Sequence, residues 1–186
     1  MSLIPAFEIG LWNAWILTLI QFLTGYIVFF IDKEAGKRGT STPKLTQKEK
    51  LLGLVTHLYI VVILYSIFVP LKLGTTWFYA GLIIYFLGLI LSVVSYLNFA
   101  TTPLNEPVVK GVYKISRHPQ YFFGAIVAFL GVGVASASWL IILLVIIYGI
   151  FQHFLVLVEE RFCLEKYGEA YREYMNRTPR WIGIPK

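Results

Sequence analysis

Long apolar stretches alternate with short charged ones along this chain of 186 residues. Residues 11–31 carry no charge, residues 51–71 contain a single histidine, and residues 76–100 form a third apolar stretch. A helix needs about 20 apolar residues to cross a bilayer, and each of these stretches is long enough. The pattern therefore predicts three membrane-spanning helices in residues 1–100.

A longer apolar stretch covers residues 119–158, where His153 is the only ionisable side chain apart from tyrosines. It is too long for one span and is typical of a hairpin of two spans. Small residues at 135–138 interrupt the bulky ones, so we expect the break between the two helices there.

Residues 159–175 become charged and carry a stripe of Leu164 and tyrosines at helical spacing. This pattern predicts an amphipathic helix that lies along the membrane or folds back over the bundle. Gly168 falls within it and is expected to kink this helix or to end its first part. The predicted fold class is all-α: a polytopic membrane helical bundle with about five transmembrane helices and a C-terminal amphipathic helix, in a single domain over residues 1–186.

The charged residues indicate an orientation. Lys and Arg cluster in residues 33–50, 110–117 and 161–186, and with five spans only Lys72 falls on the opposite side. Cytoplasmic loops carry the excess of Lys and Arg, so the N-terminus is expected outside, with the C-terminus and the active site on the cytoplasmic side. In a chain that is 58% hydrophobic, the net charge of +6 favours contact with membrane lipids rather than with nucleic acid.

Metal and disulfide chemistry are not expected from this sequence. Cys163 is the only cysteine, so no internal disulfide can form. The three histidines are scattered and have no ligand spacing.

Small residues form one stripe on the third span and another on the fourth. Each stripe repeats about every 3.5 residues, which places its members on one helix face; they are Gly81, Gly88, Ser92 and Ser95, and Gly124, Ala128, Gly131 and Ala135. Small stripes let helices approach closely in lipid, so the stripes predict a packing seam. The alternative at Gly124 is that it makes room for a ligand.

Polar residues at the ends of the last two spans are the candidates for chemistry. Arg117 and His118 precede Pro119, which suits the first turn of a helix, where unpaired amides can bind an anion. Glu159 and Glu160 end the fifth span, and a hairpin would bring both ends together. The alternatives are that Arg117 is an interface anchor and that the glutamates form a solvated helix end. His153 is expected to be a satisfied polar core residue.

Two motifs in residues 98–186 resemble a known family. The stretch from Gly111 to Tyr121, GVYKISRHPQY, is similar to the R-H-P-x-Y signature of the isoprenylcysteine carboxyl methyltransferases and their phospholipid N-methyltransferase relatives. Glu159-Glu160, followed by YGEAYREY from Tyr167 and by Pro179-Arg180-Trp181, resembles the end of the same family.

The resemblance implies S-adenosyl-L-methionine as the methyl donor. It also implies a lipophilic acceptor: an isoprenylcysteine carboxylate, a phospholipid amine or a thiol. The residues implied as catalytic are Arg117, His118 and Glu160. Those implied to bind the cofactor are Lys110, Gly111, Val112, Tyr113, His118, Pro119, Tyr121, Glu159, Glu160, Tyr171 and Tyr174.

Two other functions stay open at this point. Membrane sterol reductases that use NADPH carry a stretch similar to Ser116–Phe122, but they tend to be longer and often place a glutamate soon after it. Here Phe123, Gly124 and Ala125 follow. The other alternative is a membrane protein without enzymatic activity.

Overall fold

The computed structural model describes residues 7–26, 45–55 and 57–185, and these are mainly helical with no strand among them. One isolated bridge joins Asn13 to Pro70. The α-helices are α1 Trp15–Thr24, α2 Gln47–Val55, α3 Leu58–Ser66, α4 Thr76–Ala100, α5 Ala128–Ala135, α6 Trp139–Tyr167 and α7 Glu169–Arg177. A 3₁₀ turn covers Gly111–Lys114 and a π-helix covers Gln120–Val127. The predicted all-α membrane bundle is confirmed.

Among the described residues, three helices are long and apolar enough to cross a membrane. They are Gln47–Ser66, Thr76–Ala100 and Trp139–Tyr167, while Trp15–Thr24 and Gln120–Ala135 are shorter apolar helices. All five overlap apolar stretches of the sequence, but the helix in the second stretch begins at Gln47 and ends at Ser66, whereas residues 51–71 were predicted. Residues 27–31 of the first predicted span and the basic residues 33–44 lie outside the described residues. The number of true crossings and the sidedness of the chain therefore stay predictions.

The predicted break between the last two apolar helices is confirmed. α5 ends at Ala135 and α6 begins at Trp139. The turn between them is held by its own polar groups, since the Ser136 hydroxyl donates to the Val132 carbonyl at 2.8 Å and Ser138 Oγ caps the amide of Ile141 at 3.4 Å. Because the turn is short, the two helices are antiparallel neighbours.

The small residues of α4 and of the facing hairpin helix pack backbone against backbone, as predicted. A methyl group added at Gly81 would overlap the Ala135 backbone, and one added at Gly131 would overlap the Tyr85 backbone. At Gly124 the nearest atoms belong to Gln21 and Ser92, both 3.2 Å from where a Cβ would lie. Gly124 therefore belongs to the packing seam, and the space beside it is filled by these side chains.

The break predicted at Gly168 is confirmed, but the amphipathic helix predicted over residues 159–175 begins later than predicted. α6 continues to Tyr167, and the break comes at Gly168, whose φ of 57° is a conformation that glycine adopts at low cost. Only α7, Glu169–Arg177, is a separate amphipathic helix. Leu, Glu, Arg and Lys are good helix formers, so the change from apolar to charged residues does not end the helix. Glu159 and Glu160 consequently lie inside α6.

The start of the fourth apolar helix also differs from a regular α-helix. Pro119 caps it, and Gln120–Val127 has π geometry before α5 begins at Ala128. π-Helical turns are rare in proteins, and those that do occur are often found at functional sites. Here the widened turn lies directly after Arg117 and His118.

Candidate active site at the ends of the hairpin helices

Glu160 of α6 is the centre of a buried ion cluster. The residue is only 3% exposed. Arg180 holds both carboxylate oxygens, with Nε donating to Oε1 at 3.0 Å and Nη2 to Oε2 at 2.9 Å. These two hydrogen bonds raise the pKa of the Arg180 guanidinium above its ordinary value, although burial opposes the rise. Such planar pairs are among the strongest that a side chain makes, so Glu160 is fixed in place.

Arg117 and His118 reach the same carboxylate from the chain that enters the π-helix. Arg117 Nη1 lies 3.3 Å from Glu160 Oε1, and His118 Nε2 lies 3.2 Å from that oxygen. The His118 amide is held by the Ser116 hydroxyl at 3.2 Å. The three residues predicted as catalytic are thus brought into direct contact.

Glu159 and Tyr121 lie on the other side of the His118 ring. Glu159 Oε2 is 3.7 Å from His118 Nδ1, and the Glu159 side chain is 43% exposed. The rings of His118 and Tyr121 are stacked, with centroids 6.1 Å apart. The two neighbouring glutamates therefore differ in exposure and in hydrogen bonding. Glu160 is buried and both of its oxygens accept hydrogen bonds, whereas the Glu159 side chain is partly exposed to solvent.

The segment 178–183, here named the C-terminal strap, closes over the cluster. The amide of Arg117 donates to the Pro179 carbonyl at 3.0 Å, and the amide of Gly183 donates to the Ile115 carbonyl at 3.1 Å. Trp181 Nε1 donates to His153 Nδ1 at 3.0 Å, which confirms His153 as a satisfied polar residue. Arg180 and Trp181 were not predicted as site residues. Their only signal in the sequence is the Pro-Arg-Trp run that follows the tyrosines.

The remaining predicted site residues form a separate aromatic cluster under α7. Tyr113, Tyr171 and Tyr174 are buried together, and partly buried Val112 packs against them. The Tyr174 hydroxyl donates to the Tyr113 carbonyl at 2.7 Å, and burial raises the pKa of Tyr174. This cluster fixes the 3₁₀ turn beneath α7.

Lys110 and Gly111 make their described contacts with the end of α4 and the residue after it. Lys110 Nζ donates to the Thr101 carbonyl at 2.7 Å. Gly111 has a φ of 58°, and a Cβ there would overlap the Asn98 side chain. These two residues therefore set the conformation of the loop and have no contact with Glu160 among those described.

No group of His, Cys, Asp or Glu side chains that could hold a metal ion occurs in the part of the chain that the structure describes. The ion cluster consists of two guanidiniums, an imidazole and two carboxylates within a short distance of one another. It lies where the start of the π-helix, the last turns of α6 and the strap meet.

Comparison with known proteins identifies the family. No curated protein matches the chain. A family model described as phospholipid methyltransferase matches residues 76–170, slightly more than half of the chain. The matched region runs from α4 through the hairpin to the start of α7 and contains Arg117, His118, Glu159 and Glu160. The chain therefore belongs to the phospholipid methyltransferase family.

Proposed function

We propose that this protein is an S-adenosyl-L-methionine-dependent membrane methyltransferase that acts on a lipophilic acceptor. The observation that supports this best is the convergence of Arg117 and His118 with Glu160 in one buried cluster at the ends of the hairpin helices. All three residues lie in the region that matches the family. Buried charges that meet in this way need a functional or structural reason.

The residues present fit the charges of the proposed donor. Arg117 and Arg180 share the single carboxylate of Glu160, so one positive charge remains to attract a carboxylate group. Glu159 is 43% exposed and can accept from an ammonium or a ribose hydroxyl. The rings of Tyr121 and Trp181 lie 6.1 and 6.3 Å from the ring of His118, and aromatic faces attract a sulfonium. When bound, S-adenosyl-L-methionine supplies an electrophilic methyl group.

Glu160 acts as a positioning residue in this proposal. Both of its oxygens are already taken by Arg180, and Oε1 also faces Arg117 and His118. Its role is to hold those side chains at the mouth of the site. Tyr171 and Tyr174 have a supporting role as well, because they pack over Val112 and Tyr113 and so hold the 3₁₀ turn in place.

Proton transfer depends on the acceptor. An amine acceptor loses a proton on methylation, and His118 with Glu159 is the pair best placed to receive it. A thiolate or carboxylate acceptor needs no base. Methyl transfer is a displacement in line, so orientation and exclusion of water supply much of the rate.

We place the site at the cytoplasmic boundary of the membrane, with the N-terminus outside. The proposed donor is polar and reaches the site from water, past the C-terminal strap. A lipophilic acceptor would approach sideways from the bilayer. Many large apolar side chains of the described helices are exposed, among them Ile83 at 72% and Leu87 at 56%, as expected for faces that contact lipid.

Ligand-dependent thermal stability of the purified protein tests the proposal. S-adenosyl-L-methionine and S-adenosylhomocysteine should each raise the melting temperature, because a ligand that binds only the folded state stabilises it. NADPH should have no effect. Stabilisation by NADPH alone would support the reductase alternative, and no response to any of the three would favour a protein without enzymatic activity.

Variants of Glu159 sharpen this test. Glu159→Gln should weaken donor affinity about tenfold, since a hydrogen bond to a charged group contributes roughly 1.5–3 kcal/mol. The matched control is Glu169→Gln, a glutamate on α7 whose side chain is 73% exposed and pairs only with Arg172 among the described ion pairs. Equal donor affinity in both variants would remove Glu159 from the donor site.

A further inference from the structure

Trp181 carries the C-terminal strap onto the apolar part of α6. Its Nε1 donates to Nδ1 of His153, which lies five residues before the apolar stretch ends at Val158. An α-helix rises about 1.5 Å per residue, so this contact lies about 7.5 Å inside the apolar part of a helix that is long enough to cross a membrane. Tryptophan is enriched near the membrane–water interface, where its ring lies in apolar surroundings and its N–H keeps a polar partner.

The surface of α6 beside His153 is apolar and exposed. Ile150 and Leu157 lie one helical turn to either side of His153, and both are exposed, as is the adjacent Phe154. Exposed apolar side chains at this level of a membrane helix are expected to contact lipid. The end of the strap therefore lies against the lipid-facing side of the bundle.

Two isoleucines directly after Trp181 are exposed as well. Ile182 is 53% exposed, and Ile184, the residue that follows the strap, is 91% exposed. An isoleucine left in water forgoes most of the stabilisation that its burial would provide. Three residues of extended chain span at most about 11 Å, so both side chains lie within reach of the surface that Trp181 contacts.

The other end of the strap holds the ion cluster. Arg180 binds both oxygens of Glu160, and the Pro179 carbonyl accepts from the amide of Arg117. These strap residues directly precede Trp181 in the chain. Any contact that fixes Trp181 and the two isoleucines therefore also favours the position of Arg180 on Glu160.

We propose that Trp181, Ile182 and Ile184 anchor the C-terminal strap in the lipid bilayer, and that this contact keeps the strap closed over the ion cluster. The apolar side chains lie in the acyl region just beneath the headgroups, at the depth that the contact with His153 indicates. The anchor is independent of the proposed function. Its effect on donor binding rests on that function, because an open strap would remove Arg180 from the site.

A spin label measures whether the end of the strap lies in the bilayer. The label is attached to Ile184→Cys in a Cys163→Ala background, because Cys163 is the only native cysteine, and the protein is placed in phosphatidylcholine nanodiscs. The matched control is Glu173→Cys, at an exposed position of α7. Oxygen concentrates in the bilayer and a nickel chelate stays in water. The label at position 184 should collide more often with oxygen, and the control label more often with the chelate.

Two results would overturn the anchor. A label at position 184 that collides mainly with the nickel chelate would place the strap in water. Shielding from both reagents would mean that Ile184 fills the cavity of about 270 Å³ that it borders beside Arg117, or that it contacts a second copy of the chain. Dipolar broadening of the spectrum would identify the second copy.

Hydrogen exchange in the same nanodiscs measures whether the anchor keeps the strap closed. The amide of Arg117 reports closure, because the strap supplies its acceptor, the Pro179 carbonyl. Ile184→Asn should speed exchange of this amide about tenfold, since burial of an isoleucine side chain corresponds to at least that factor. Ile184→Leu, which stays apolar, should leave the rate unchanged. The amide of Gly168 at the end of α6 is the internal control. Equal exchange of the Arg117 amide in both variants would overturn the coupling.

Failure of this inference is separable from failure of the proposed function. If the label lies in the bilayer and Ile184→Asn opens the strap, but S-adenosylhomocysteine does not stabilise the protein, the anchor stands and the function is wrong. If S-adenosylhomocysteine binds the parent and Ile184→Asn equally well and the label lies in water, the function stands and the anchor is wrong.

Discussion

The seam between α4 and the hairpin and the ion cluster around Glu160 are held together in opposite ways. In the seam, Gly81, Gly88 and Gly131 bring backbones into contact, and no charged side chain takes part. In the cluster, charged side-chain groups of Arg117, Glu160 and Arg180 lie about 3 Å apart. The seam has no room for one more carbon atom at these glycines, whereas the cluster depends on the attraction of its guanidiniums to the one buried carboxylate of Glu160.

This difference follows from the surroundings of each region. Lipid gives apolar helices no hydrophobic reason to associate, so contact between small residues supplies the attraction. At the end of the hairpin the chain leaves the apolar zone, and charges can be brought together if they are paired and hydrogen-bonded. The two regions should consequently respond to different substitutions.

The largest effect is expected from adding one methyl group to the seam. Gly81→Ala should lower the free energy of unfolding by about 3 kcal/mol, because the new methyl overlaps the Ala135 backbone, which cannot move aside easily. The matched control is Gly53→Ala, where nothing lies within 4 Å of the added atom and the change should be neutral or slightly stabilising. Thermal unfolding in detergent measures both. Equal melting temperatures would contradict the close approach of the backbones.

Loss of the central charge should have the next largest effect. Glu160→Gln leaves Arg117 and Arg180 without their shared counterion and should destabilise the fold by about 2 kcal/mol. Glu159→Gln is the comparison, since the 43% exposed Glu159 side chain is already hydrated and its removal should leave the melting temperature nearly unchanged. If Glu160→Gln and Glu159→Gln have the same melting temperature, the buried cluster does not stabilise the fold.

Arg180→Lys tests the two-point geometry rather than the charge. Lysine keeps the positive charge but cannot donate to both carboxylate oxygens in one plane, so a loss of about 1.5 kcal/mol is expected. Arg172→Lys changes an exposed pair with Glu169 and should have an effect near zero. The difference between the two melting temperatures is the measure, and no difference would mean that the fork geometry contributes nothing.

The smallest effect is expected at the strap. Trp181→Phe keeps an aromatic ring and removes the hydrogen bond from Nε1 to His153, with an expected loss of about 1 kcal/mol. Combining Trp181→Phe with His153→Phe gives a double-mutant cycle that isolates this bond. Strictly additive effects of the two substitutions would show that the strap is held by its other contacts alone.

Sequence patterns predicted the elements that depend on local composition. The hairpin break at residues 135–138 follows from small polar residues between bulky ones, and both stripes of small residues pack as expected. The meeting of Arg117 and His118 with Glu160 follows from the hairpin alone, since antiparallel helices bring residues 117 and 160 to one end.

Features that depend on long-range contacts or subtle backbone geometry were not predicted. The Pro-Arg-Trp run marks Arg180, but it does not indicate that the Arg180 guanidinium binds Glu160, which lies 20 residues earlier in the chain. The π geometry of Gln120–Val127 has no composition signal that distinguishes it from an α-helix. The last membrane helix was expected to end at Glu159-Glu160, but charged residues change the polarity of a helix without breaking it, and α6 continues up to Gly168, where a break was predicted.

The position of Arg180 has a consequence for biosynthesis. Translation proceeds at about 5–20 residues per second, so Arg180 is made about 1–4 s after Glu160, which it follows by 20 residues. During that interval Arg117 and His118, already synthesised, are the partners that Glu160 can find. The Pro179 carbonyl that receives the amide of Arg117 arrives equally late. A chain that lacks residues 178–183 would therefore have neither the Arg180 guanidinium nor the Pro179 carbonyl, and its site could not close over Glu160.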